Sequence, residues 1–105
     1  MATVIVDAEN VRRSQWPNLS RDELVARARA WAAQEGHELR IVFDTDAPEE
    51  ADDLVGTAYA DDEIVRLANE LEGEIWVATS DRELRDRLGG RVVRVVGGGT
   101  FVREI

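Results

Sequence analysis

Acidic side chains recur in this chain where extended apolar runs stop. Val4-Ile5-Val6 ends at Asp7, Leu39 to Phe43 ends at Asp44, and Asp81 follows Ile75 to Thr79, while Asp61 and Asp62 open a helical stretch after Leu54 to Ala58. Carboxylates that converge repel one another and take up protons unless a cation or hydrogen-bond donors compensate. A hard divalent ion meets that demand, because Mg²⁺ prefers oxygen ligands, keeps several waters and can activate one of them beside a phosphate. Metal-assisted phosphodiester hydrolysis is the chemistry these residue types suggest. Each acid also has a structural reading. Asp61, Asp62, Ser80 and Asp81 stand where helices begin, and Asp and Ser are favoured there as caps. Asp44 reads more simply as the start of a polar loop, and the run Asp46, Glu49, Glu50, Asp52, Asp53 as a solvated surface with no chemistry. Asp7 is the hardest to explain away, since in the sequence pattern it ends an apolar strand and caps no helix.

The elements that must position these acids follow from apolar spacing. Thr3 to Asp7 is a β-branched strand, and the polar Ala8 to Leu19 reads as a long loop. Ser20 with Glu23 three residues on makes a capping box, after which Leu24, Ala28, Trp31 and Ala32 recur at helical spacing until Gly36. Leu39 to Phe43 is a second strand, Thr45 to Asp53 a surface loop, and Leu54 to Ala58 a brief third strand. Asp61 or Asp62 caps a second helix carrying Ile64, Leu67, Ala68 and Leu71 on one face, with Gly73 as its stop. Ile75 to Thr79 is a fourth strand, Ser80 and Glu83 cap a third helix ending at Gly89-Gly90, and Arg91 to Val96 is the last strand. Gly97-Gly98-Gly99 reads as a flexible connection, not a dinucleotide fingerprint, which would open the first strand-to-helix turn. Strands separated by helices, several of them wholly apolar, predict βαβ units around a parallel sheet covered on both faces. Ligands of such sheets bind beyond the carboxyl ends of the strands, where the acids fall.

Composition narrows the class. A chain of 105 residues has room for one domain, 1–105, and 44% hydrophobic with 33% charged residues describes an ordinary folded protein. No apolar run approaches membrane-spanning length, no export signal is visible and there is no cysteine, so the expectation is a cytoplasmic protein without membrane partners. A net charge of -9 argues against nucleic-acid binding through a broad basic face. All 13 basic residues are arginine. Arg12 and Arg13 after the first strand, and Arg82 and Arg85 early in the third helix, are candidates for bidentate contacts to phosphates, with a solvated-charge reading beside it. His37 has no second soft ligand and reads as a surface residue. Trp31 and Trp76 read as core, whereas Trp16 beside Pro17 either stacks on a nucleobase or anchors its own loop.

Taken together, Val6-Asp7-Ala8-Glu9-Asn10, Val42-Phe43-Asp44, Ala60-Asp61-Asp62-Glu63-Ile64 and Ala78-Thr79-Ser80-Asp81 resemble, in order and spacing, the NYN domains and within them the YacP-like group, relatives of the PIN-domain ribonucleases. The resemblance spans nearly the whole chain. It implies a three-layer PIN-like, Rossmann-like sandwich around a mainly parallel sheet of four or five strands, and a Mg²⁺- or Mn²⁺-dependent endoribonuclease acting on single-stranded or structured RNA. By resemblance Asp7, Asp61 and Asp81 form the metal set and Asp62 supports them. Asn10 positions the first carboxylate or a water, and Thr79 or Ser80 hydrogen-bonds beside the metal. The chain departs from the pattern at Ala58, where the group has a glutamate, and Glu9 adds an acid that would compensate.

Two other classes compete. One is a PIN-like module without catalysis that binds RNA or protein. The other is a haloacid-dehalogenase-like phosphatase, which Asp7-Ala8-Glu9 and Trp76-Val77-Ala78-Thr79 suggest but the absence of lysine opposes. The RNA target, presentation by a ribosome or another protein, and pairing into a homodimer are left open by the sequence.

Overall fold

Five apolar stretches extend into strands and join in one parallel sheet in the computed structural model, which describes all residues from Met1 to Ile105. The elements are β1 (Thr3–Asp7), α1 (Ala8–Arg13), α2 (Arg21–Glu35), β2 (Glu38–Phe43), β3 (Leu54–Gly56), α3 (Ala60–Glu70), β4 (Ile75–Ala78), α4 (Arg82–Arg87), β5 (Val92–Val96) and α5 (Gly98–Glu104). The strand order is β3-β2-β1-β4-β5. The chain winds outward through β2 and β3, then crosses back to β4 and β5, so the winding reverses between β1 and β4. In open α/β sheets that reversal leaves a crevice at the carboxyl edge. The expected α/β sandwich with helices on both faces is what forms, and all four strand pairings are parallel. No helix is long and apolar enough to cross a membrane.

Alternation along the strands divides the core. Val4 and Val6 of β1 face Leu24, Ala28, Phe101 and Val102 of α2 and α5, while Ile5 faces Ile64, Leu67 and Leu84 of α3 and α4. Because side chains alternate with period two, Asp7 lies on the α3/α4 side with Ile5. Asp7 pairs in register with Val42, and Val6 with Ala78, which sets Asp7 level with Thr79. Asp44, two residues beyond Val42, emerges on the same side.

Several local expectations change. Ala8 to Arg13 is helix rather than loop, and Asp7 therefore precedes a helix, although its side chain makes no capping bond. Two turns are too short to show periodicity or to stand alone in water, so this helix depends on burying Ala8 and Val11 in the core beside α5. Helix α3 begins two or three residues earlier than expected, with Tyr59 rather than Asp61 or Asp62 at its N-cap, which places both aspartates in the first turn. The cap of α4 is Asp81, whose carboxylate accepts from the Leu84 amide at 3.1 Å, and not Ser80. Gly98 to Glu104 is a helix, not a flexible connection. A Cβ on Gly98 would lie 2.4 Å from Ser14 Oγ and 2.9 Å from Asn10 Oδ1, so a larger residue there would have to displace both side chains. His37 is not a free surface residue. It is half-buried between the rings of Trp31 and Trp76, and its Nδ1 accepts from the Ala2 amide at 3.0 Å. Both tryptophans pack on the larger core from its rim.

Candidate functional site

Asp7 ends the central strand at the point of reversal, and its carboxylate is buried with 7% exposure. Its one hydrogen bond comes from the Thr79 hydroxyl, which donates to Oδ2 at 2.7 Å and accepts from the Asp81 amide at 3.1 Å. One hydroxyl thus ties the carboxyl ends of β1 and β4 to the start of α4. Burial pushes the Asp7 carboxyl up to about 6, against the lowering effect of Thr79, and the nearby charges of Asp61, Asp81 and Asp44 push in the same direction as burial. Asp61 is raised as well, by burial first and then by Asp81, Asp62 and Glu83, with Arg87 opposing. The acids from four sequence-distant segments therefore share one electrostatic neighbourhood.

A second polar junction lies beside this one, between α1, α5 and the end of β4. Asn10 Oδ1 accepts from the Ser80 amide at 2.8 Å, and Ser80 Oγ accepts from the Gly98 amide at 2.7 Å. Ser14 donates to the Asn10 carbonyl at 2.8 Å. Asn10 and Ser80 hold the loop after β4 in place, and so set the direction in which Thr79 and Asp81 present their side chains.

The remaining candidates divide. Asp62 is exposed and paired with Arg87 at 2.7 Å. Arg12 turns inward, donating to Glu9 at 2.6 Å and to the Leu19 carbonyl at 2.8 Å, which removes it from any phosphate. Glu9 is buried among Arg12, Arg13 and Arg21, so its charge is already neutralised and it does not replace an acid missing at Ala58. Arg13, Arg82 and Arg85 are exposed. Asp44 joins the site although a loop reading was simpler for it. Strand register alone reveals this, because Asp44 is two residues past Val42, the neighbour of Asp7. Tyr59 and Arg87 were not singled out by any motif, yet with Asp44, Asp61 and Asp62 they line a cleft of about 430 Å³ at this edge.

The donor set consists of hard carboxylate oxygens, which suits Mg²⁺ or Mn²⁺ and not a soft ion. No three acidic or imidazole side chains stand close enough to form a ready cation cage. A water-rich Mg²⁺ site held by one or two carboxylates fits, and a closed three-ligand cage does not. Another concavity, of about 360 Å³, lies at the opposite edge between Arg29, His37 and Asp53. There Arg29 clamps both Asp53 oxygens at 2.8 Å and Glu49 at 2.9 Å, pinning the acidic loop to α2. Comparison with protein-family models, curated proteins and solved structures finds no match to this chain.

Proposed function

We propose that the chain is a metal-dependent ribonuclease that hydrolyses RNA phosphodiesters at the carboxyl edge of the sheet. The observation that carries this reading is the carboxylate of Asp7, buried at the winding reversal with a hydroxyl and no arginine beside it, and pushed up to about 6 by burial and by three neighbouring aspartates. A carboxylate kept in that state is costly to the fold, and such residues cluster where chemistry is done. Of the set Asp7, Asp61 and Asp81, Asp7 with one of the other two would hold Mg²⁺ or Mn²⁺ with retained waters, while the third, with Asp44 and Asp62, adds to the local field. When bound, the ion would supply an activated water and neutralise charge on the phosphate. Thr79 fixes the orientation of Asp7, and Asn10 with Ser80 fixes Thr79 and Asp81. Arg82 at the start of α4, with Arg85 and Arg13, offers guanidinium groups to flanking phosphates in an otherwise negative surface. Below pH 6 the proton on Asp7 competes with cation uptake, so metal binding weakens with acid.

One observation favours a second reading, an RNA- or protein-binding module without catalysis: no three acids are grouped as a cation cage. Incubation of the purified protein with mixed RNA in Mg²⁺ or Mn²⁺ separates the two. Cleavage that disappears with EDTA, and falls on the order of 10³-fold in Asp7→Asn, is the expected result. RNA binding without cleavage would support the module. Phosphate release from a small phosphoester would overturn both in favour of a phosphatase.

A further inference from the structure

The aromatic side chains are distributed unevenly over the molecule. Phe43 and Phe101 are fully buried, and Trp31 and Trp76 are half-buried against the core. Tyr59 and Trp16 are 72% and 89% exposed. Trp16 therefore does not anchor its own loop. The loop is held instead by backbone and arginine contacts, with the Leu19 amide donating to the Arg12 carbonyl at 3.2 Å and Arg12 Nε donating to the Leu19 carbonyl.

Both exposed rings belong to the carboxyl edge. Tyr59 is the N-cap of α3 and lines the cleft that contains Asp61 and Asp44. Trp16 lies between α1, which starts at the end of β1, and α2, whose C-terminus leads into the amino end of the parallel strand β2. The start of α2, with the loop before it, must then sit at the carboxyl edge. Because α1 and α2 cover one face of the sheet and α3 the other, the two rings belong to elements on opposite faces at this edge. Each has an arginine nearby in structure or sequence, Arg87 in the cleft with Tyr59 and Arg13 three residues before Trp16.

We infer that Tyr59 and Trp16 are stacking platforms for two unpaired nucleobases of one RNA strand, which they draw across the sheet edge so that the backbone between those bases crosses the end of β1. This inference rests on the ribonuclease reading and adds its positioning residues. Every base has a π-face, so aromatic stacking grips a single strand without reading sequence. Stacking also needs no positive field, so it supplies attraction that offsets part of the repulsion between a chain of charge -9 and a polyanion. Duplex bases are already stacked on one another and cannot reach either ring.

The test uses the Asp7→Asn variant of the chain, expected to retain RNA without cutting it, with a short RNA free of self-pairing and the same strand annealed to its complement. Single-stranded RNA should quench tryptophan fluorescence, and Trp16→Ala should abolish the quenching, since Trp31 and Trp76 pack on His37 at the opposite, amino edge of the sheet. Trp16→Ala and Tyr59→Ala should each weaken binding about tenfold. Trp16→Phe and Tyr59→Phe should restore most of it, with unfolding temperatures unchanged because neither ring is in the core. The duplex should bind more weakly than the single strand. Equal affinity for duplex and single strand, or alanine variants with wild-type affinity, would overturn the inference. If Trp16→Ala and Tyr59→Ala made in the otherwise wild-type chain cut RNA with unaltered KM, the platforms fall and the nuclease stands. Ring-dependent binding with no cleavage by the wild type would support the platforms and remove the nuclease. Neither binding nor cleavage would end both.

Discussion

Asp7 and Glu9 are two acids two residues apart, both buried, with 7% and 6% exposure, and the fold treats them in opposite ways. Glu9 receives Arg12 at 2.6 Å, Arg21 at 3.4 Å and Arg13 at 3.6 Å. Asp7 receives a single neutral hydroxyl and faces three other aspartates. A buried carboxylate surrounded by guanidinium groups is a structural solution, because the desolvation cost is offset by charge-assisted hydrogen bonds. A buried carboxylate left with its own kind is a standing cost that only a cation, a proton or a substrate can relieve. The same contrast separates Asp7 from Asp53, which the Arg29 guanidinium holds below the usual carboxylate range. Burial of an acid therefore does not by itself mark a candidate functional residue, whereas burial without a counter-charge does.

The largest expected effect comes from removing the uncompensated acid. Asp7 has its proton affinity raised in the fold, so its favourable contribution is complete below its ordinary value of 3.8 and is lost as pH rises through about 6. The rise from 3.8 to about 6, at about 1.36 kcal/mol for each tenfold change in proton affinity, corresponds to ~3 kcal/mol. In EDTA at pH 8, Asp7→Asn should accordingly be more stable than wild type by up to that amount, and the advantage should vanish near pH 4. Added Mg²⁺ should raise the unfolding midpoint of the wild type at pH 8 and leave that of the variant in place. Denaturant titrations at the two pH values, with and without the ion, would sink the contrast if Asp7→Asn were destabilising throughout.

Glu9→Gln should do the reverse, leaving Arg12 buried without its carboxylate. Because Arg13 and Arg21 reach solvent, the loss should be about 2 kcal/mol, and it should persist from pH 6 to pH 8. Mg²⁺ should stabilise this variant as much as the wild type, and a loss of that response would place Glu9 in the acid site after all. The smallest effect tests the one donor that Asp7 has. Thr79→Val keeps the shape but removes the bonds to Asp7 and from the Asp81 amide, at about 1 kcal/mol. Since the Thr79 hydroxyl lowers the Asp7 pKa, its loss should move the Asp7 titration, followed by carbon NMR, upward from about 6. A downward movement would contradict the geometry.

Much of this arrangement was legible in the residues. Strand runs rich in Val and Ile, the Ser20 cap and the Gly36 stop are local signals, and the bond from the Glu23 amide to Ser20 Oγ at 3.1 Å and the left-handed Gly36 show them at work. The short helices α1 and α5 were not legible, since six or seven residues bury too few side chains to leave a period and depend on each other for packing. Nor could spacing show that Glu9, Arg12 and Arg21 would form a structural cluster, or that His37 would be gripped by two tryptophans brought together from α2 and β4.

By itself the sequence determined the alternation of strands and helices, the parallel sheet they imply, and the presence of acids at the strand ends, because propensity, capping and apolar spacing act over a few residues. Only the tertiary structure decided which acids remain without counter-charge. That property depends on sheet register and on where arginines from other segments come to rest, and long-range packing sets both. Register turned Asp7 and Asp44 to the side of Asp61 and Asp81, and the packing of α1 against α2 brought Arg21 to Glu9 beside the Arg12 of its own helix.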